Sequence, residues 1–203
     1  TRAAILRCAS EVFAERPFHE VLTEDVSSRL GIGKGTLYRY FKSKEELYFA
    51  SIVSGLEGMQ DAVAEVIRAD APLEKTVGAI ALTIITHFWE RRDFFVLFHR
   101  HEPRLDPGER AEWKRHREEY VGMVAGVVGR QLARKGMQEV DARLAVELLF
   151  GMIRSACLYR RDEDRLEDLA TLVSNVFLRG VLGSETKSSL EHSDGHEKNH
   201  CLS

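Results

Sequence analysis

Apolar residues recur along this chain with the roughly 3.6-residue period of an α-helix, almost without interruption. Ile5, Leu6, Ala9, Val12 and Phe13 share one face of a first helix that is already under way at Thr1 and ends before Pro17. Thr23 is a suitable N-cap for a second helix reaching Leu30, with Glu24 and Asp25 in its first turn, where the helix dipole favours negative charge. Gly31-Ile32-Gly33 predicts a turn, and residues 34–40 a third short helix. Ser43 with Glu46 predicts a capping box opening helix 4, which fades at Asp70-Ala71-Pro72, and Pro72 suits the first turn of helix 5. Asp93 is positioned to cap a short helix 6. Asp106-Pro107-Gly108-Glu109 predicts a second capping box, launching a long helix 7 that Gly136 ends. Asp141 starts helix 8, and Asp164 with Glu167 caps helix 9, which stops near Gly183. The fold class that follows is all-α, with about nine helices.

Composition narrows this further. With 44% hydrophobic and 30% charged residues, 203 residues suffice for a sizeable core. A net charge of −3 argues against a protein that coats nucleic acid indiscriminately, so any phosphate-binding face must be local. Cys8, Cys157 and Cys201 are too few and too scattered for a disulfide framework. No apolar run approaches the ~20 residues of a membrane span, and no signal-peptide pattern is present, so a cytoplasmic protein with no membrane partner is expected. The polar stretch 184–203 has too few apolar groups to pack and is expected to be a disordered tail.

Local basic character is found in residues 26–44, which hold Arg29, Lys34, Arg39, Lys42 and Lys44 and no carboxylate. Helix 3 is expected to expose Lys34, Thr36, Tyr38, Arg39 and Tyr40, while Leu37 and Phe41 pin it to the core. Phenolic hydroxyls and lysines are common donors to backbone phosphates, and a small basic helical unit is what reading a major groove requires. The run Thr36-Leu37-Tyr38-Arg39-Tyr40-Phe41-Lys42-Ser43-Lys44-Glu45-Glu46-Leu47, with the glycine turn before it, closely resembles the TetR family of bacterial repressors.

That resemblance implies an N-terminal three-helix helix-turn-helix domain (residues 1–48) and a C-terminal helical domain for effector binding and dimerisation (49–183). It implies that Thr23 and nearby amides hold a phosphate, that Lys34, Thr36 and Arg39 face base edges, and that Tyr38, Tyr40 and Lys44 clamp phosphates. Gly35 would let the helix backbone approach the groove wall. The family often has Ser or Thr where this chain has Gly33, a weaker cap with no hydroxyl to offer. The function implied is a transcription regulator, released as a repressor from a palindromic double-stranded DNA operator by a small-molecule effector. The alternative in a different class is a helical small-molecule or lipid-binding protein that uses the basic face for a protein partner.

Enzymatic readings find little support. Gly31-Ile32-Gly33-Lys34-Gly35-Thr36 has Gly35 between the lysine and the hydroxyl residue and no strand before it, unlike a phosphate-binding loop. Gly-x-Ser-x-Gly and His-Glu-x-x-His are both missing. No cofactor and no metal are expected. His87, His99, His101 and His116 read as surface or pocket-rim imidazoles, with ligand binding the alternative. His192, His196 and His200 beside Cys201 suggest no more than adventitious metal affinity.

Aromatics cluster at Phe88, Trp89, Phe94, Phe95, Phe98, Trp113 and Tyr120. The resemblance places these helices around an effector cavity, so Phe88, Phe98, His99, Trp113, His116 and Tyr120 are candidate ligand residues for a hydrophobic or amphipathic molecule. Helices 8 and 9 carry broad apolar faces, and one antiparallel pair cannot cover both. Pairing with a second copy is the economical solution, through Leu148, Gly151, Met152, Ser155, Leu169, Val173 and Phe177, with Gly151 and Ser155 forming a shallow notch.

Overall fold

A computed structural model describes residues 2–100, 106–161 and 163–183. His101 and the histidine-bearing stretch 184–203 lie outside the described residues. The helices are α1 (Arg2–Glu15), α2 (Thr23–Leu30), α3 (Lys34–Tyr40), α4 (Lys44–Ile67), α5 (Leu73–Glu90), α6 (Arg92–Arg100), α7 (Pro107–Arg134), α8 (Ala142–Tyr159) and α9 (Leu166–Leu182), with a 3₁₀ turn at Phe18–Glu20. No strand occurs among the described residues, so the all-α expectation holds.

Caps explain where several helices begin, and five differ from expectation. Asp106 and Glu109 form the reciprocal box, each side chain accepting the other residue's amide at 2.9 Å. Ser43 accepts from the amide of Glu46, but the Glu46 carboxylate reaches the amide of Lys42, one residue beyond a true box. Thr23 is the first residue of α2 and not its cap. Its hydroxyl is drawn elsewhere, and Asp25 instead accepts the amide of Leu22 at 2.9 Å. Asp164 accepts from Arg161 in the preceding turn, leaving Arg165 at the cap position of α9. Asp93 lies inside α6, where its carboxylate receives Arg91 at 2.9 and 3.2 Å. Pro72 stands at the cap position of α5, one step before the first turn.

The packing positions two sites. In the N-terminal unit, α1 and α2 enclose Val12, Phe13, Val26, Leu37 and Phe41. Below it α4 spans the expected domain boundary at Tyr48 and Phe49 as one continuous helix. Gly55 of α4 is dictated by its neighbour: a Cβ there would lie 2.2 Å from the ring of the fully buried Phe94. This glycine lets α6 pack directly on α4. Helix α9 packs along α5 through Ala170, Val173, Ser174 and Phe177.

Candidate nucleic-acid interface and ligand cavity

Leu37 and Phe41 are buried against α1 and α2, and this fixes the face that α3 presents outward. That face carries Lys34, Gly35, Tyr38, Arg39 and Tyr40, all exposed, with Thr36 half-buried beside them. The two rings keep 41% (Tyr38) and 37% (Tyr40) of their surface, unusual for tyrosines on so short a helix. A Cβ added at Gly35 would meet nothing, so this position is smooth and open.

The site is already wired. Thr23 Oγ1 donates to Glu24 Oε2 at 3.0 Å and lies 3.0 Å from Tyr38 Oη. With its single proton given to Glu24, Thr23 accepts from Tyr38. Thr23 is itself buried, so it fixes the tyrosine and leaves the phenol as the exposed surface. Lys34 is ion-paired with the same Glu24 carboxylate and lies 5.8 Å from the Tyr38 ring centroid. The Lys34 bond, the helix amide and Thr23 together pull the Glu24 carboxyl down to about 2. A carboxylate therefore sits among three groups suited to a phosphate.

A flanking carboxylate also neutralises a second cation of the 26–44 window. Arg29 makes a bidentate pair with Glu15 at 2.7 and 2.8 Å. Arg39 and Lys42 have no ion pair among the described residues. Lys44 is placed differently from a free phosphate clamp. Its ammonium donates to the carbonyls of Phe18 and Val21, both at 2.9 Å, and stands 4.4 Å from the Phe18 ring centroid. Two of its three protons thus close the turn ahead of α2.

Farther down, α4, α5, α6, α7 and α8 surround a cavity of about 390 Å³. Five of the six expected ligand residues line it: Phe88, Phe98, His99, Trp113 and Tyr120. His116 does not. It lies beside the 113–117–120 stripe of α7, its ring 3.8 Å from Glu112 and its carbonyl accepting from Gln60. The lining also includes Arg117, Glu147, Phe150 and Arg154, which periodicity alone did not single out. Arg117 and Glu147 join α7 to α8 in a bidentate pair at 2.8 and 2.5 Å. Trp113 four residues earlier was the available signal, since it puts Arg117 on the aromatic face. His99 donates Nδ1–H to the carbonyl of Phe95 at 2.7 Å. Tyr120 stacks on Phe150 with centroids 4.9 Å apart, and burial pushes its phenol up, holding it protonated.

Two family models account for these sites in turn. Residues 5–50 match the model of bacterial regulatory proteins of the tetR family, and residues 70–181, more than half the chain, match the tetracyclin repressor-like C-terminal domain. The chain belongs to the TetR family. It is a DNA-binding transcriptional regulator with an effector-binding domain, and not an enzyme.

Among TetR relatives, the fatty acid metabolism regulator protein of Bacillus subtilis is 25% identical over 196 residues, 90% of this chain and 95% of that one. The activator FasR of Mycolicibacterium smegmatis is 34% identical over 67 residues, and this match spans only 31% of FasR and 33% of this chain. Among solved structures, FadR from Bacillus subtilis in complex with stearoyl-CoA superposes with a TM-score of 0.77 at 18% identity, covering 89% of this chain and 99% of that one. No helix of the described residues is long and apolar enough to cross a membrane.

The outer faces of α8 and α9 correct part of the expected pairing set. Val173 and Phe177, 5% and 3% exposed, belong to the intrachain core against α5. Leu169 and Met152 are half-buried, while Leu148, Gly151 and Ser155 are exposed as expected. The large hydrophobic residues left in the open are Leu144, Leu148, Leu158, Tyr159, Leu172 and Val176, and Leu172 lies one position from the Val173 that was expected there. A helix packed on one side buries residues three or four apart on every turn, and α9 turns its 170–173–177 stripe inward.

Proposed function

We propose that this chain is a homodimeric, ligand-responsive repressor, with residues 1–48 reading DNA and residues 49–183 binding effector and pairing the two copies. The carrying observation is that one continuous helix, α4, both packs against α1 and lends Leu56 and Met59, in its middle turns, to the cavity wall. Ligand in the cavity and the posture of the helix-turn-helix are then two readings of one packing equilibrium.

Arg39, Tyr38 and Tyr40 form the contact set, joined by Lys34 once a phosphate or base edge replaces Glu24. Two copies of α3 held ~34–36 Å apart would read adjacent major grooves of a palindrome. Support for the dimer comes from Leu148, Leu172 and Val176, more than half of whose surface is exposed on neighbouring helices. Monomers rarely leave such a patch uncovered.

The effector is an amphipathic anion. Its apolar part lies among Phe88, Phe98, Trp113 and Phe150, and its charged end meets Arg154 and Arg117. The named ligand of FadR and the named role of the Bacillus subtilis relative support a molecule derived from a fatty acid.

The test begins with selection from a randomised palindrome library at fixed salt, followed by titration of the selected complex with long-chain acyl-CoA. Enrichment of a palindrome and its release by the ligand are expected. An unenriched library would remove the DNA-reading role of this α3 face. A palindrome that no amphipathic anion releases would remove the effector class.

A further inference from the structure

Glu147 shares the mouth of the cavity with two arginines and already holds one of them. It lines the space from α8 together with Gly151 and Arg154, which follow it at helical spacing on the same face. Both of its carboxylate oxygens are engaged by Arg117 of α7, at 2.8 and 2.5 Å. Arg154 has no ion pair among the described residues. Arg117, Gly151 and Arg154 are exposed as well as cavity-lining, so this stretch is where the space opens to solvent. A Cβ added at Gly151 would meet nothing, which leaves room between the acid and Arg154.

The Arg117–Glu147 pair is not needed to join the two helices. Tyr120 stacked on Phe150 already carries α7 onto α8. Nor is the pair strong. Arg117 keeps 54% of its side-chain surface and Glu147 26%, and ion pairs this wet contribute little net stability, so another anion can take the place of one partner.

We infer that Glu147 is a selectivity residue of the effector site: it occupies Arg117 while the cavity is empty and yields it only to a ligand whose own carboxylate or phosphate pairs with that guanidinium. This role rests on the amphipathic-anion reading of the cavity and deepens it. A planar guanidinium fork accepts either anion in place of the glutamate. A neutral polar end cannot compete, so Arg117 stays with Glu147 and such a ligand gains only apolar contacts. Once displaced, Glu147 remains beside the bound anion as a like charge. The acid therefore weakens anion binding twice, by competing and by repelling, and Arg154 offsets the repulsion.

Palmitoyl-CoA and palmitate offer anionic oxygens from two sources, and hexadecanol is the neutral probe of the same chain length. Direct binding of the three is measured for the full-length wild type, Glu147→Gln, Arg117→Gln and the double variant. Glu147→Gln should tighten the anionic probe about tenfold and leave hexadecanol unchanged. Arg117→Gln should weaken the anion, and in that background Glu147→Gln should bring almost no gain, because there is no guanidinium left to release. Whichever anion shows the Arg117-dependent gain identifies the source. Glu147→Asp, too short to hold Arg117 in the same bidentate grip, should show a smaller gain in the same direction.

Equal gains with and without Arg117 would make Glu147 a mere through-space charge and overturn its competing role, as would anion binding that Glu147→Gln leaves unchanged or weakens. Both outcomes leave the amphipathic effector intact. If neither anion binds any of these proteins, the amphipathic-anion reading fails and takes this inference with it.

Discussion

Arg100, the last residue of α6, donates Nη1–H to the carbonyl of Phe13 at 3.2 Å, 87 positions earlier in the chain. The same nitrogen lies 3.3 Å from the carbonyl of Arg16. A cation thus closes the C-terminal end of α1, where the helix dipole leaves carbonyls unsatisfied. Its neighbours Phe98 and His99 line the ligand cavity. This bond ties the end of α6 to the end of the first helix of the N-terminal unit.

Arg100→Met should keep the side-chain packing and remove this bond. Operator affinity without effector should change little, while the factor by which effector weakens it should fall several-fold from the ~5–150-fold typical of coupled sites. Operator dissociation constants with and without effector measure both quantities. An unchanged factor would leave the coupling to the packing of α1 on α4 and α6.

Glu24 competes with DNA for Lys34. Glu24→Gln should tighten binding to all sequences at low salt and steepen the dependence of log K on log salt by ~0.9 per subunit, one newly available cation each. The wild-type pair should persist as pH falls well below 4.5, because the Glu24 carboxyl is held at about 2. A salt titration of both proteins on one duplex decides this.

Arg39 and Lys44 should separate specificity from stability. Arg39→Ala should relax sequence preference at one base position by roughly 1–3 kcal/mol without altering the melting temperature. Lys44→Met should instead lower stability by about 1–3 kcal/mol, because it strands the carbonyls of Phe18 and Val21. Thermal melts beside binding curves distinguish the two. A fully stable Lys44→Met that binds DNA poorly would restore Lys44 as a simple phosphate clamp.

Leu148→Glu and Leu172→Glu should each yield a folded monomer, since both side chains point away from the intrachain core. Val173→Glu should fail to fold, because it places a carboxylate against α5. Sedimentation with circular dichroism reads out all three, and a wild-type monomer at micromolar concentration would refute the pairing.

His87 makes stability depend on pH. Burial holds its imidazole below 6.5, with Arg91 opposing its charge and Glu90 and Asp93 favouring it. The unfolded chain therefore binds a proton more readily than the folded one. Its contribution is complete above about 6.5 and declines as pH falls below that value. His87→Phe should flatten the melting temperature between pH 7 and pH 5, and an unchanged slope would assign it to other groups.

Local rules in the sequence determined much of this protein. Period and capping placed the helices within a few residues, because an N-cap hydroxyl or a positive-φ glycine such as Gly136 acts over one turn. The residue pattern of α3 likewise identified its outward-facing set, since Leu37 and Phe41 leave only one face outward. Charge partnering was not legible, because the carboxylates that bind Arg29 and Lys34 come from Glu15 and Glu24, outside the acid-free window. Nor was the choice between adjacent apolar residues. Val173 faces α5 while Leu172 faces out, and only the crossing of α9 on α5 decides between them. Glu147 and Arg154 join the cavity for the same reason: α7 and α8 meet at an angle set by the whole core, and no window of sequence contains that angle.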